Sequence, residues 1–160
     1  MAVDDGGLKP PELVYLEGEN RCSYTWAAGE VTGAFLEALR DHGRILGAVC
    51  SGCGCVAAPP LSYCEKCSSR FGDWREVGPS GVVMSWTRVE RGYEAAPLEP
   101  PFRFVLVRLS GADTEMLHVA RDDERLTEGA VVVPVWKPPA EREGAITDIR
   151  CFAFEPGESE

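Results

Sequence analysis

The stretch Cys50-Ser51-Gly52-Cys53-Gly54-Cys55, followed further on by Tyr63-Cys64-Glu65-Lys66-Cys67, decides the fold. Two residues between cysteines let one tight turn aim both sulfurs at a single ion, and a second such pair completes four ligands. Pro59-Pro60 restricts the segment that joins the pairs. Gly54 stands where the turn calls for a residue tolerant of positive φ. With Cys50, Cys53, Cys64 and Cys67 as ligands the coordination sphere is closed, so the expected ion is structural and contributes to folding. Zinc is the expected metal, and iron in a four-thiolate site satisfies the same ligands. Free thiols or a redox pair are the remaining alternatives. Cys55 is a spare that could replace Cys53, although the Cys50/Cys53 spacing suits a metal knuckle better. Cys22 is isolated, and Cys151 reads as a core thiol on a late strand.

Upstream of the cysteines, Val31, Phe35, Leu36 and Leu39 share one face of a helix over 30–42, with Gly43 placed to end it in the left-handed conformation. Ile45 and Leu46 lead on into the cysteine region, and the helical segment as a whole is assigned to 30–46. Residues 1–29 form an irregular arm. Lys9-Pro10-Pro11 favours an extended start, and Val14, Tyr15, Leu16, Tyr24 and Trp26 show no sustained period. Such an arm packs back on its own domain or lies on a partner.

Downstream, after the cysteine module at 47–77, the pattern changes to strands. Runs at 81–89, 102–109, 114–120, 129–136 and 146–154 are rich in β-branched and aromatic residues and are separated by Gly, Pro or acidic loops. Pro134 inside the fourth run points to an edge or a bulge. Five strands in so short a span, assigned to 78–155, suit a small closed barrel. An acidic tail at 156–160 follows. The expected class is therefore mainly β, with one leading helix.

The 160 residues suffice for one ordinary domain, and 44% hydrophobic residues suffice for a core. The longest apolar runs fall well short of a membrane span, and residues 1–9 lack the basic and apolar regions of a signal peptide. A soluble, cytoplasmic protein is the expectation. The formal net charge is −10, and it lies mainly in residues 1–30 and 138–160, each at −4. A nucleic-acid binder usually shows a basic footprint, so the charge opposes that partner.

The order of these parts resembles a known family. Gly43-Arg44-Ile45-Leu46-Gly47-Ala48-Val49-Cys50-Ser51-Gly52-Cys53-Gly54, then Ala58-Pro59-Pro60, then Tyr63-Cys64-Glu65-Lys66-Cys67 carry the likeness. Trp74, Gly78-Pro79-Ser80-Gly81-Val82-Val83 and Ser85-Trp86-Thr87-Arg88-Val89 extend it. This combination is similar to the acyl-CoA-associated family known as domain of unknown function 35, DUF35, over about residues 30–155. The resemblance implies a rubredoxin-like zinc ribbon followed by an OB-fold. It also implies association with a thiolase-superfamily protein. Members of that family typically associate with thiolase-superfamily proteins, such as the benzoylsuccinyl-CoA thiolase of anaerobic toluene degradation, steroid side-chain aldolases and acyltransferases of phloroglucinol type. The expected role is a noncatalytic small subunit that helps to bind coenzyme A.

The residues agree with that role. Only two histidines occur, His42 and His118, and no nucleophile elbow, phosphate loop or dinucleotide fingerprint is present. Coenzyme A brings phosphates and an adenine, which call for cations and flat apolar surfaces. Trp86, Arg88, Arg91, Phe102, Arg103 and Lys137 are the candidates for a groove facing a partner. The competing role for each is core packing or a solvated charge. A zinc-ribbon OB-fold that binds nucleic acid is the alternative function, and a rubredoxin-like electron carrier is the third.

Overall fold

The structure, a computed structural model, describes residues 18, 22, 23, 25 and 27–155. The apolar arm positions Val14, Tyr15, Leu16, Tyr24 and Trp26, and the tail 156–160, lie outside the described residues.

Helix α1 spans Gly29–His42. Phe35 and Leu39 of its apolar face are buried, and Val31 and Leu36 are half-buried. Gly43 ends the helix at φ +58, and its N–H bonds to Leu39 O while Arg44 N–H reaches Ala38 O. The left-handed residue thus satisfies two carbonyls that the helix end leaves open. Ile45 and Leu46 are not helical: they open strand β1, Ile45–Cys50. β1 is the middle of a three-stranded antiparallel sheet between β2 (Val56–Ala57) and β3 (Phe71–Val77).

The remaining strands are β4 (Gly81–Val89), β5 (Phe102–Leu109), β6 (Met116–Arg121), β7 (Val131–Trp136) and β8 (Ile149–Ala153). They close into a barrel in the order β4-β5-β6-β8-β7, in which only the β6–β8 pair is parallel. That is the five-stranded OB-type closure expected from the sequence. Pro134 lies beyond the two residues of β7 that pair with β4, and a register shift follows at Val135/Trp136. A strand position with one side released tolerates a residue that lacks an N–H.

The fifth apolar run divides. Ile146–Asp148 forms a 3-10 turn, and the strand begins only at Ile149. Asp148 is the cause. Its carboxylate accepts the N–H groups of Glu143 (3.0 Å), Gly144 (2.8 Å) and Ala145 (3.2 Å), which winds the preceding chain into a turn.

One apolar cluster runs through all three parts. It joins Phe35 and Leu39 of the helix to Ile45, Val56 and Val77 of the small sheet and to Val105, Val107, Ile149 and Phe152 of the barrel. Helix, ribbon and barrel are therefore held by common burial, each such side chain contributing roughly 1.5–3 kcal/mol. Among the described residues, no helix is long and apolar enough to cross a membrane.

Candidate functional site

Two knuckles of the same geometry build the cysteine site. In the first, Gly54 N–H bonds to Cys50 O (2.9 Å) and Cys50 N–H to Cys55 O (2.8 Å). In the second, Ser68 N–H bonds to Cys64 O (2.8 Å) and Cys64 N–H to Ser69 O (2.9 Å). The fifth residue of each turn is left-handed, Gly54 at φ +74 and Ser68 at φ +58. A non-glycine residue in that region is strained and persists where the surroundings fix it. Here a second knuckle must match the first.

The turns bring the sulfurs of Cys50, Cys53, Cys64 and Cys67 within 4.8 Å of one another. Cys50 and Cys67 Sγ stand 3.4 Å apart, and Cys53 and Cys64 Sγ 3.6 Å. A regular tetrahedron of thiolates around zinc, at Zn–S of about 2.3 Å, has S–S edges of about 3.8 Å. The two shortest separations lie just below that value and all of them stay within 4.8 Å, so the donors fit one zinc ion with no position left for a substrate. Cys55 is buried beside Cys64 but stands outside the four-sulfur group.

The electrostatics of the sulfurs also favour a cation. The Ser69 hydroxyl, and then its N–H, hold the Cys67 thiol down to about 6. Cys53 is pulled down by the Cys55 N–H, yet Cys50 and Cys64 beside it outweigh that bond and push it up to about 12. Four adjacent thiolates repel, and a divalent cation among them removes the repulsion.

The six residues expected to face coenzyme A fall in different places. Arg103 is 6% exposed, with Nε bonded to Asp122 (2.9 Å) and Nη1 to Leu126 O (2.5 Å). Its guanidinium lies over the Trp86 ring at 4.2 Å, so one face of that indole is covered. Arg88 pairs with the same Asp122 (2.8 Å) and with Glu90 (2.7 Å). The Arg88 bonds, and then those of Arg103, hold the Asp122 carboxyl down to about 2. Both guanidinium groups are thus engaged by protein carboxylates. Phe102 is 1% exposed, edge-on to Phe104 (5.4 Å) and clustered with Val119 and Cys151. Burial leaves that ring no face for an adenine. Arg91 is exposed in the loop after β4.

Lys137 pairs only loosely, its ammonium 3.9 Å from Asp148 Oδ1 and still partly exposed. It lines a groove of about 480 Å³ beside β5, β6 and β8, between the loops 90–101 and 137–148. Leu98, Phe104, Leu117 and Ile146 make its apolar surface, and Lys137 and Arg150 supply the cations. Leu117 is 62% exposed. Sequence reasoning missed Arg150 and these apolar residues. The signal was the alternation in β6 and β8, where Leu117 and Arg150 fall between buried neighbours.

His118 lies at the groove but is packed. Its ring nitrogens face Val119 O (3.4 Å) and Ile146 O (3.3 Å), and the ring meets Phe152 edge-on at 5.6 Å. A neutral imidazole has one N–H, so it can donate to only one of the two carbonyls. Burial pushes its pKa down.

Fold and cage together define a zinc-ribbon OB-fold protein. Comparison with family models makes this specific: residues 38–72 match the ChsH2 rubredoxin-like zinc ribbon domain, and residues 74–137 match the ChsH2 C-terminal OB-fold domain. The two matches follow one another over more than half of the chain, which belongs to the ChsH2-type, DUF35 family. Among solved structures, a DUF35-family protein of unknown function from Sulfolobus solfataricus is 26% identical, with a TM-score of 0.56 over 67% of this chain and 77% of its own. The Ltp2-ChsH2(DUF35) aldolase is 22% identical, with a TM-score of 0.55 over 80% of this chain and 94% of that chain. No curated protein matches.

Proposed function

We propose that this chain is a noncatalytic accessory subunit of a thiolase-superfamily complex that acts on an acyl-CoA. Cys50, Cys53, Cys64 and Cys67 hold one structural zinc ion, and the partner supplies the nucleophilic cysteine of a carbon–carbon bond cleavage. The reaction is thiolysis of a β-ketoacyl-CoA, an aromatic one included, through that cysteine, or an aldol cleavage, for which the partner supplies a general base instead. A reducing, cytoplasmic compartment suits the thiolate cage.

The observation that carries this reading is the 480 Å³ groove on a chain that has both ChsH2-type domains. The aldolase among the similar structures pairs a ChsH2 protein with Ltp2 by name, which supports a two-subunit arrangement here. The groove suits an acyl-CoA: Lys137 and Arg150 answer phosphates, while Leu98, Phe104 and Ile146 answer an apolar arm. Of the six residues first singled out, Lys137 remains the leading contact, and Trp86 and Arg91 keep exposed surface that a partner-bound ligand can reach. Arg88, Phe102 and Arg103 act by shaping the barrel.

Reconstitution tests the proposal. A thiolase-superfamily protein from the same genome is assayed for cleavage of acyl-CoA thioesters with and without this chain. Expected is a dependence of turnover on the chain, and an increase in KM of several-fold for Lys137→Ala with Arg150→Ala. Equal kinetics with and without the chain refute it.

A further inference from the structure

The tip of the β5–β6 hairpin is fastened to the ribbon on one side and to the loop between β3 and β4 on the other. On one side, Val56 N–H bonds to Asp113 Oδ2 (2.8 Å) and Asp113 N–H returns to Val56 O (2.8 Å). Ala58 N–H donates to Thr114 Oγ1 (2.9 Å), whose hydroxyl donates to Ala58 O (3.1 Å). On the other side, Gly78 N–H bonds to Ser110 O (2.8 Å) and Ser110 N–H to Ser80 O (2.9 Å). The residues so gripped on the ribbon are β2 and its extension, which lie in sequence between Cys53 and Cys64. β2 is two residues long and pairs with β1 alone; Val56 and Ala58 bury into the shared core, and the knuckles hold the two ends of the segment. The hairpin carries Phe104 and Leu117 of the groove.

From this clamp we infer that metal occupancy of the ribbon is coupled to the order of the β5–β6 hairpin, with Asp113 and Thr114 as the positioning residues. The ribbon's own cluster is small, Cys50, Cys55 and Cys64 with Phe71 beside them, and apart from the pairing of β1 with β3 and the bonds of the Ser51 N–H and hydroxyl to Arg70 O, the ion is what joins the knuckles. Once β2 loosens, Asp113 and Thr114 lose their partners and the hairpin tip opens. By linkage, a ligand that orders the hairpin tightens the metal site in return. The inference rests on the four cysteines binding a metal.

Amide hydrogen exchange of the full chain tests it, read on peptides within 102–121, with zinc loaded and after removal by a chelator. Zinc content is measured first. In the native chain, removal of zinc accelerates exchange of the hairpin about tenfold. In Asp113→Ala with Thr114→Val, which leaves the shared apolar core in place, the hairpin exchanges fast in both states and the ratio falls below about twofold. Thr114→Val alone, which removes only the hydroxyl, lowers the ratio partway and decides the matter if the double variant does not fold. A native hairpin indifferent to zinc overturns the coupling. An undiminished ratio in the variants assigns the coupling to the shared core and overturns the role of the clamp. A chain that takes up no zinc overturns the metal site itself, and the coupling with it.

Discussion

Replacement of Asp148 gives the sharpest energetic test. Its side chain is fully buried and accepts three backbone N–H bonds, from Glu143, Gly144 and Ala145. Desolvation opposes its ionisation, but those three bonds and the Lys137 ammonium at 3.9 Å prevail and hold the carboxyl below its ordinary range. A hydrogen bond to a charged acceptor is worth roughly 1.5–3 kcal/mol. Glu143 is exposed, so water replaces that partner, and two donors are left poorly served in Asp148→Ala. The expected loss is about 3 kcal/mol, and about 2 kcal/mol for Asp148→Asn, which keeps one acceptor oxygen. Urea unfolding at constant slope measures the loss, and exchange of the 143–145 amides locates it. A loss below about 1 kcal/mol for the alanine variant refutes the view that one carboxylate organises the loop beside the groove.

Three further outcomes follow from the same geometry. Burial holds the folded pKa of His118 below its ordinary 6.5, so the unfolded chain takes up that proton first as pH falls. Its contribution to stability is complete above about pH 6.5 and is lost below it, and His118→Phe flattens the stability curve there. For Asp122, held down to about 2, stability is present above the ordinary 3.8 and lost as pH falls toward 2. Arg88→Ala raises its carboxyl titration, read by carbon NMR, and an unmoved midpoint contradicts the shared-carboxylate arrangement. Leu39→Ala, at a position with no exposure, costs about 2–5 kcal/mol by chemical denaturation. A smaller loss contradicts the packing of α1 into the common core.

The parts of the fold with a local cause were legible in the sequence. The cysteine spacing sets two identical turns, and Gly43 ends a helix whose apolar face is spelled out by Phe35 and Leu39. The strands of the barrel follow from β-branched runs between turn residues. What the sequence concealed depends on pairing at a distance. β1 and β3 form a sheet around the cage, although nothing in Phe71–Val77 alternates as a strand does, because its exposed residues Gly72 to Glu76 follow without a break. The start of β8 is displaced by the hydrogen bonds of a single aspartate. The candidate site was split for the same reason. A cation and an aromatic ring near one another in sequence look like a phosphate and adenine site, yet Arg103, Trp86 and Asp122 complete each other within the barrel. Arg150 and Leu117 meet Lys137 only when the barrel closes.

The most direct test of the proposed role is the native mass of what purifies with this chain when it alone is tagged and a thiolase-superfamily protein is co-expressed. Expected is a stoichiometric complex with one zinc ion per copy of this chain, which separates when the cage is broken by Cys50→Ser with Cys64→Ser. A zinc-loaded chain that purifies free of every thiolase-type protein tested contradicts the accessory-subunit role, while leaving the ribbon and the barrel in place.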